Sequence, residues 1–265
     1  MQIDAYGILE NVRTKKPLVH HLTNWVTIYD CANIVKVLGA SPVMAHAKEE
    51  VAEMSAIASA LVLNIGTLTT DLIESMKIAA KSANKKGTPV ILDVCGAGAT
   101  KFRDDKSLEL LNEARIDVIK GNASEIARIA GEDVRTKGVD GGFVRRDLIE
   151  IAIELAECRE CIVVITGKDD IATDGDTTYA VMNGDSMMAD IVGTGCMAAS
   201  VVGTFCAVEA DLARAAASGL CCFEIAAELA AGECSTPGTF KEKLFDRAYS
   251  LTREQVEGMQ RVNIR

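Results

Sequence analysis

Ile191-Val192-Gly193-Thr194-Gly195-Cys196 runs straight into the small, apolar residues 197–202, the pattern of a glycine-rich turn opening a helix. Such a turn can receive an anion. Without a Cβ at Gly193 or Gly195 the backbone can approach a phosphate closely, and the first N–H groups of the helix have no internal partner and carry partial positive charge. Cys196 stands on the first turn, where its thiol would touch whatever reacts there. Gly-x-Gly turns are also common as mere tight connections, so the pattern gains meaning from what else reaches the same place. Lys120 and Thr166 could hold phosphate oxygens, the first as a point charge and the second as a hydroxyl donor. Asp93 and Glu125 supply hard oxygens of the kind Mg²⁺ takes, often through water. Together they are what phosphoryl transfer needs: cations neutralise charge on the transferred group while oriented N–H groups receive its oxygens. Each residue also has a plainer reading. Asn122-x-x-Glu125 is the spacing of a helix N-cap and its partner, Asp93 suits a turn, and Lys120 suits a solvated surface.

These residues matter together only if the elements carrying them end at one edge. Apolar runs rich in β-branched residues alternate with helical periodicity: strands are predicted over 60–65, 89–93, 116–120 and 161–165, and helices over 72–85, 107–114, 123–130 and 146–157. Val90-Ile91-Leu92 is continuously apolar, which implies burial on both faces and therefore helices on both sides of a largely parallel sheet. Asp93, Lys120 and Thr166 each stand at or just past a strand's carboxyl end, where open α/β sheets bind ligands. Short segments at 171–173, 177–182 and 186–190, separated by Asp174-Gly175-Asp176 and Asn183-Gly184-Asp185, predict a closing antiparallel meander, with Gly193 the first glycine after its last strand. Two helices rich in Ala and Cys, 195–209 and 212–231, follow. Pro237-Gly238 then breaks the pattern before a charged helix over 240–251. No repeat or linker divides the chain, so one domain spanning 1–265 is expected.

Composition narrows the function. The formal net charge is −10 over 265 residues, which disfavours nucleic acid as a partner, since a polyanion calls for a basic face. Apolar residues make up 49% of the chain, yet no stretch suits a bilayer span and residues 1–13 lack the order of a secretion signal, so a cytoplasmic protein without membrane contact is expected. The nine cysteines are odd in number and scattered over apolar positions, as reduced thiols would be. Cys158 and Cys161 have metal or redox spacing but no second pair to complete a zinc site. His20 and His21 are neighbours on a strand and face opposite ways, which leaves His46 alone. Around them, the segments from His20 to Val26 and from Gly39 to His46 offer apolar side chains with a few amides, which suit a small uncharged ligand. Met44 as core filler and Trp25 as a buried anchor are the plainer reading.

The blocks Leu22-Thr23-Asn24, Gly39-Ala40-Ser41-Pro42-Val43-Met44-Ala45, Leu63-Asn64-Ile65-Gly66-Thr67-Leu68, Asp93 with Gly96-Ala97-Gly98-Ala99-Thr100, Gly121-Asn122-Ala123-Ser124-Glu125-Ile126 and Val192-Gly193-Thr194-Gly195-Cys196 resemble the hydroxyethylthiazole kinases. The resemblance extends from Pro17 to the final helix. It implies a three-layer, ribokinase-like α/β fold with a largely parallel central sheet, helices on both faces and a short antiparallel meander. It also implies a kinase that uses ATP and Mg²⁺ to phosphorylate the primary alcohol of 4-methyl-5-(2-hydroxyethyl)thiazole in thiamine salvage. By the same resemblance Met44 and Gly193 match thiazole-binding positions, with Asn24 a further candidate. Lys120 and Thr166 match ATP contacts, Asp93 and Glu125 the Mg²⁺-water cluster, and Cys196 a general base where the wider superfamily usually carries Asp. Family members assemble as homotrimers with the site between subunits. Two departures stand out: Val94-Cys95 replaces the family's usual Pro-Val, and Lys120 replaces its usual Arg. The competing readings are a ribokinase-like kinase of another vitamin alcohol or a sugar, and a nucleotide-sensing protein without catalysis. A sugar pocket would want several carboxylates and amides, which the segments around Asn24 and Met44 do not offer.

Overall fold

A computed structural model of the chain describes residues 3–134, 144 and 146–265. Among these, β1 (Leu18–Leu22), β2 (Ser41–Val43), β3 (Ala60–Asn64), β4 (Val90–Asp93), β5 (Val118–Asn122) and β6 (Ile162–Thr166) run parallel. β7 (Asp170–Thr173), β8 (Thr178–Val181) and β9 (Val262–Ile264) continue the sheet antiparallel, in the order β2-β1-β3-β4-β5-β6-β7-β8-β9. One face carries α1 (Ala5–Lys15), α2 (Ile28–Val37), α8 (Thr194–Cys206), α9 (Leu212–Ala231), α10 (Pro237–Ser250) and α11 (Arg253–Met259). The other carries α3 (Val51–Ile57), α4 (Thr70–Lys86), α5 (Lys101–Glu113), α6 (Ala123–Ile129) and α7 (Leu148–Arg159).

The strands divide their side chains between two cores with the period of the pleat. Leu61 and Leu63 pack under α4 while Val62 packs under α8, and Val163 and Ile165 oppose Val164 in the same way. That is why these strands read as unbroken apolar runs. Connections α2 and α3 lie on opposite faces, so the sheet grows outward in both directions from β1. The crevice beyond β1 and β3 is therefore the switch point at which open α/β sheets bind ligands.

Four expectations need correction. Residues 186–190 form a 3₁₀-helix, Ser186–Asp190, rather than a strand: Asp185 caps it by accepting from the Met187 N–H at 2.9 Å, and the chain turns back toward the strand ends. The outermost strand is instead β9, so Gly193 precedes the last strand rather than following it. Pro237 begins α10 instead of breaking the chain before it, because the first helical position needs no N–H. α5 also starts at Lys101, ahead of the expected 107, where Thr100 accepts from the Arg103 N–H. No helix among the described residues is long and apolar enough to cross a membrane.

α8 lies directly on the central strands, and one glycine permits it. A Cβ at Gly203 would sit 2.4 Å from Cγ2 of the buried Val62. Gly203→Ala is expected to destabilise the fold by about 1–3 kcal/mol through overpacking, visible as a lower Tm.

Candidate functional site

Strand register does the first part of the positioning. Asn64 stands opposite Asp93, and Asp93 opposite Lys120, so three polar residues form a row across β3, β4 and β5. Their neighbours Leu63, Leu92 and Ile119 face the core under α4, so the row itself turns toward α8. Thr166 lies one strand further on, opposite Asn122. All of the row is buried, which is costly unless each group finds a partner.

The partners form a chain. Asn64 Nδ2 donates to Asp93 Oδ2 at 2.7 Å, and Asn64 Oδ1 accepts from Asn24 Nδ2 at 2.9 Å. The same Asn24 amide donates to Cys196 Sγ at 3.2 Å, while its oxygen accepts from the Val26 N–H, the Thr27 N–H and the Thr27 hydroxyl. Two side-chain amides thus connect the acid on β4 to the thiol on α8, each donating to one of them. Asn64→Leu would leave Asp93 and Asn24 with unmet hydrogen bonds, and is expected to cost about 1–3 kcal/mol and to lower turnover, read by thermal melts and initial rates on the same preparation.

α8 opens as the glycine pattern requires. Gly193 has φ +102°, and a Cβ there would lie 2.6 Å from Thr27 Cγ2, so the position admits glycine alone. No side chain caps the helix, which leaves its first N–H groups for an outside acceptor. Lys120 Nζ approaches the same turn, 3.3 Å from where a Cβ on Gly195 would be. Between this turn and the strand ends lies a cavity of about 470 Å³, lined by Asn24, Asp93, Cys95, Lys120, Glu125, Thr166 and Gly193 to Cys196 among others. A larger hollow of about 590 Å³ between α5, α6 and α7 contains none of these groups.

Charge in the cavity is lopsided. Lys120 Nζ is 3.6 Å from Asp93 Oδ1, and both groups are buried. Burial works against the charge on Lys120, but Asp93 and then Glu125 hold its pKa above the ordinary lysine value. Burial pushes the carboxyls of Asp93 and Glu125 up, with Lys120 opposing in both cases. Cys196 goes the other way: the influence of Cys95, with those of Lys120, Thr27 and Asn24, outweighs desolvation and lowers its pKa. One lysine therefore faces two carboxyls and a thiol of lowered pKa.

Glu125 fulfils its plainer reading in full. Asn122 Oδ1 accepts from the Glu125 N–H at 2.9 Å and Glu125 Oε2 accepts from the Asn122 N–H at 2.7 Å, a reciprocal cap on α6. Its second oxygen accepts from the Gly96 N–H at 2.6 Å and so ties down the loop after β4. Arg103 holds that loop from the other side, donating to the carbonyls of Ile65, Gly66 and Cys95 at 2.8–2.9 Å.

Asp93, Lys120, Glu125, Thr166, Gly193 and Cys196 thus meet at one cavity. Met44 does not join them. It follows β2, on the far side of β1, where its carbonyl accepts from His46 Nδ1 at 3.1 Å. Trp25 is not a buried anchor: it is 53% exposed and meets the His46 ring edge-on at 4.8 Å. His20 is buried against Ser55 and the Ala45 carbonyl. Cys158 is exposed on α7 and Cys161 is buried ahead of β6. Asn64 and Arg103 were not singled out by the sequence. Asn64 does carry a signal, as a polar residue ending a wholly buried strand, whereas Arg103 carries none.

The model of the hydroxyethylthiazole kinase family matches residues 9–254. This chain belongs to the hydroxyethylthiazole kinase family. Its relatives include the hydroxyethylthiazole kinase of Methanosarcina mazei, 52% identical over 96% of this chain and 97% of that one, and that of Roseiflexus sp., 48% identical over 96% and 94%. A solved hydroxyethylthiazole kinase protein from Pyrococcus horikoshii superposes with a TM-score of 0.90 at 39% identity, covering 98% of each chain. A ribokinase-like superfamily protein from Enterococcus faecalis shares the fold alone, at a TM-score of 0.63 and 12% identity. In this family member the three-layer α/β architecture is therefore ribokinase-like.

Proposed function

We propose that the chain transfers the γ-phosphoryl group of ATP to the primary alcohol of 4-methyl-5-(2-hydroxyethyl)thiazole, in thiamine salvage. The observation that carries this reading is the convergence, on one cavity, of an uncapped glycine-opened helix, a buried lysine and a thiol that accepts from the Asn24 amide. Lys120 and Thr166 bind the ATP phosphates, the first N–H groups of α8 receive the transferred group, and Gly193 borders the thiazole. Cys196 lies against the alcohol and takes its proton. The substrate itself is drawn from the names of the relatives.

The residues present fit Mg²⁺. Asp93 Oδ1 is buried without a hydrogen-bond partner, and the carboxyls of Asp93 and Glu125 share the cavity with one lysine. No cluster of three or more His, Cys, Asp or Glu side chains among the described residues could hold a metal, which suits an ion that keeps waters and shares phosphate oxygens with one or two carboxylates. Asp93 and Glu125 would hold it, and it would neutralise charge on the phosphates. Glu125→Gln should raise the Mg²⁺ concentration needed for half-maximal rate. An unchanged Mg²⁺ titration would leave Glu125 with its cap alone.

Trp25, Val26, Tyr29 and Val192 are exposed, and Val26 and Val192 line the cavity. An apolar rim of this kind suits cover by a second copy, so we read the active form as a homotrimer in the cytoplasm, with Met44 completing the thiazole site of a neighbour. Light scattering on the purified protein tests the assembly.

A coupled ADP-release assay over thiazole, pyrimidine, pyridoxal and sugar alcohols tests the reaction. Turnover is expected with the thiazole alcohol. Preference for another alcohol would transfer the reading to a different ribokinase-like kinase, and ATP binding without turnover on any alcohol would favour a nucleotide sensor.

A further inference from the structure

We infer that Arg103 is a positioning residue for the transfer, a clamp that fixes the spacing of two loops in the cavity wall. Its guanidinium lies behind that wall. Nη1 donates to the carbonyls of Ile65 and Cys95 at 2.9 Å, and Nη2 donates to that of Gly66 at 2.8 Å. Ile65 and Gly66 belong to the loop after β3 and Cys95 to the loop after β4, and Gly66, Thr67 and Cys95 line the cavity. The ladder between these strands ends with the Ile65 N–H donating to the Asp93 carbonyl at 3.3 Å. Past that point the guanidinium joins the loops. Its N–H groups leave a rigid plane in fixed directions, so carbonyls that it satisfies together are fixed relative to one another.

The clamp is itself seated. Gly96 makes room for it: φ is +81°, and a Cβ there would sit 2.9 Å from Nη1. The Arg103 backbone is held at both ends, its N–H donating to Thr100 Oγ1 at 3.3 Å and its carbonyl accepting from the Ser107 hydroxyl at 2.7 Å.

Gly66 carries the constraint to the reacting side. While its carbonyl takes the arginine, its N–H donates to Asn64 Oδ1 at 2.8 Å. A Cβ on Gly66 would lie 3.0 Å from both Asn24 Nδ2 and Asn64 Oδ1, so its backbone rests against the two amides. Asn24 Nδ2 in turn donates to Cys196 Sγ at 3.2 Å, and Thr67 Oγ1 accepts from the Trp25 N–H at 3.1 Å. Moving Gly66 therefore moves the amide pair and the sulfur proposed to meet the alcohol. On the other loop, the residue after Cys95 donates its N–H to Glu125 at 2.6 Å. A displacement of about 1 Å between such walls costs about 10²-fold in rate, because the reacting groups must stay aligned. Arg103 is not among the residues lining the cavity, so it acts through the loops and not by touching substrate. The effect on rate rests on the reading of this cavity as the phosphoryl-transfer site, whereas the clamp itself does not.

The test compares the wild-type protein with Arg103→Lys, which keeps the charge and loses the fork, and with Arg103→Ala, below the Tm of each. Single-turnover phosphorylation of the thiazole alcohol should slow by about 10²-fold in both variants, while ATP affinity read by calorimetric titration stays at the wild-type value. Millimolar guanidinium chloride should restore most of the rate in Arg103→Ala, and sodium chloride at the same concentration should not. Amide exchange followed by mass spectrometry should quicken in peptides spanning 64–68 and 94–98 of both variants. A full rate in Arg103→Lys, or a loss in Arg103→Ala that guanidinium leaves unchanged, would overturn the inference. Should Arg103→Ala fold poorly, Arg103→Lys decides alone: a slowed rate with quickened exchange supports the clamp, and either one unchanged overturns it. Wild-type protein that binds ATP but phosphorylates no alcohol would remove the transfer reading instead, and unchanged exchange in Arg103→Lys would then overturn the clamp as well.

Discussion

Cys196→Ala is expected to lower kcat about 10²-fold while leaving ATP affinity nearly unchanged. General bases contribute about 10²–10⁴-fold, and the lower end applies here for a chemical reason. In a loose phosphoryl-transfer transition state the attacking alcohol needs little deprotonation in advance, so positioning and charge carry most of the acceleration. The groups proposed to hold ATP are the backbone N–H groups of α8, Lys120 and Thr166, none of which the substitution removes. Calorimetric titration with ATP and single-turnover rates on the thiazole alcohol separate the two effects. The pH profile adds a second readout. Cys196 is held below the ordinary thiol pKa, first by the Cys95 thiol and then by Lys120, so it loses its proton at lower pH than a free thiol. The acid limb of kcat should therefore lie below the ordinary thiol range of about 8.5 in the parent and vanish in Cys196→Ala. A variant with full kcat would remove Cys196 from the reaction.

The legible part of this site was the part written along single strands. Asp93, Lys120 and Thr166 each end or nearly end an apolar run, so their shared edge follows once the sheet is taken as parallel. Gly193 and Cys196 follow from local glycine chemistry. The link between them was not legible, because Asn24 and Asn64 meet only through the pairing of β1 with β3 and β3 with β4. Arg103 is illegible for the same reason: its three carbonyl partners come from two loops. In the fold, the misread segment was 186–190, whose length and apolar residues fit a short strand. Its place beside β8 is taken by Val262–Ile264, a pairing across some eighty residues of intervening chain that no local pattern announces. Met44 is the converse case. Its segment suits a small uncharged ligand by residue type and the resemblance matches it to a thiazole position, yet within one chain it stands apart from the cavity.

Lys120→Met should have the larger effect, about 10³-fold in kcat/KM, the upper range for loss of one preorganised stabilising group. Lys120 is the cation nearest the α8 turn and the only one paired with Asp93 among the described residues. Its loss removes a phosphate contact and leaves Asp93, Glu125 and Cys196 facing one another. Groups so placed escape by taking up protons, so all three pKa values should rise. For Cys196 the sign is definite: with the positive charge gone the thiolate is less favoured, a larger fraction is protonated at any given pH, and the acid limb of the rate profile moves upward. A purely structural role for Lys120 would lower Tm and yield without moving that limb. Lys120→Arg provides the control, since it keeps the charge and adds a planar fork suited to phosphate. It should hold both the limb and most of the rate. If Lys120→Met kept the parent's ATP affinity and its acid limb, the lysine would be no more than the counter-ion of Asp93, and the phosphate site would have to be sought along α8 alone.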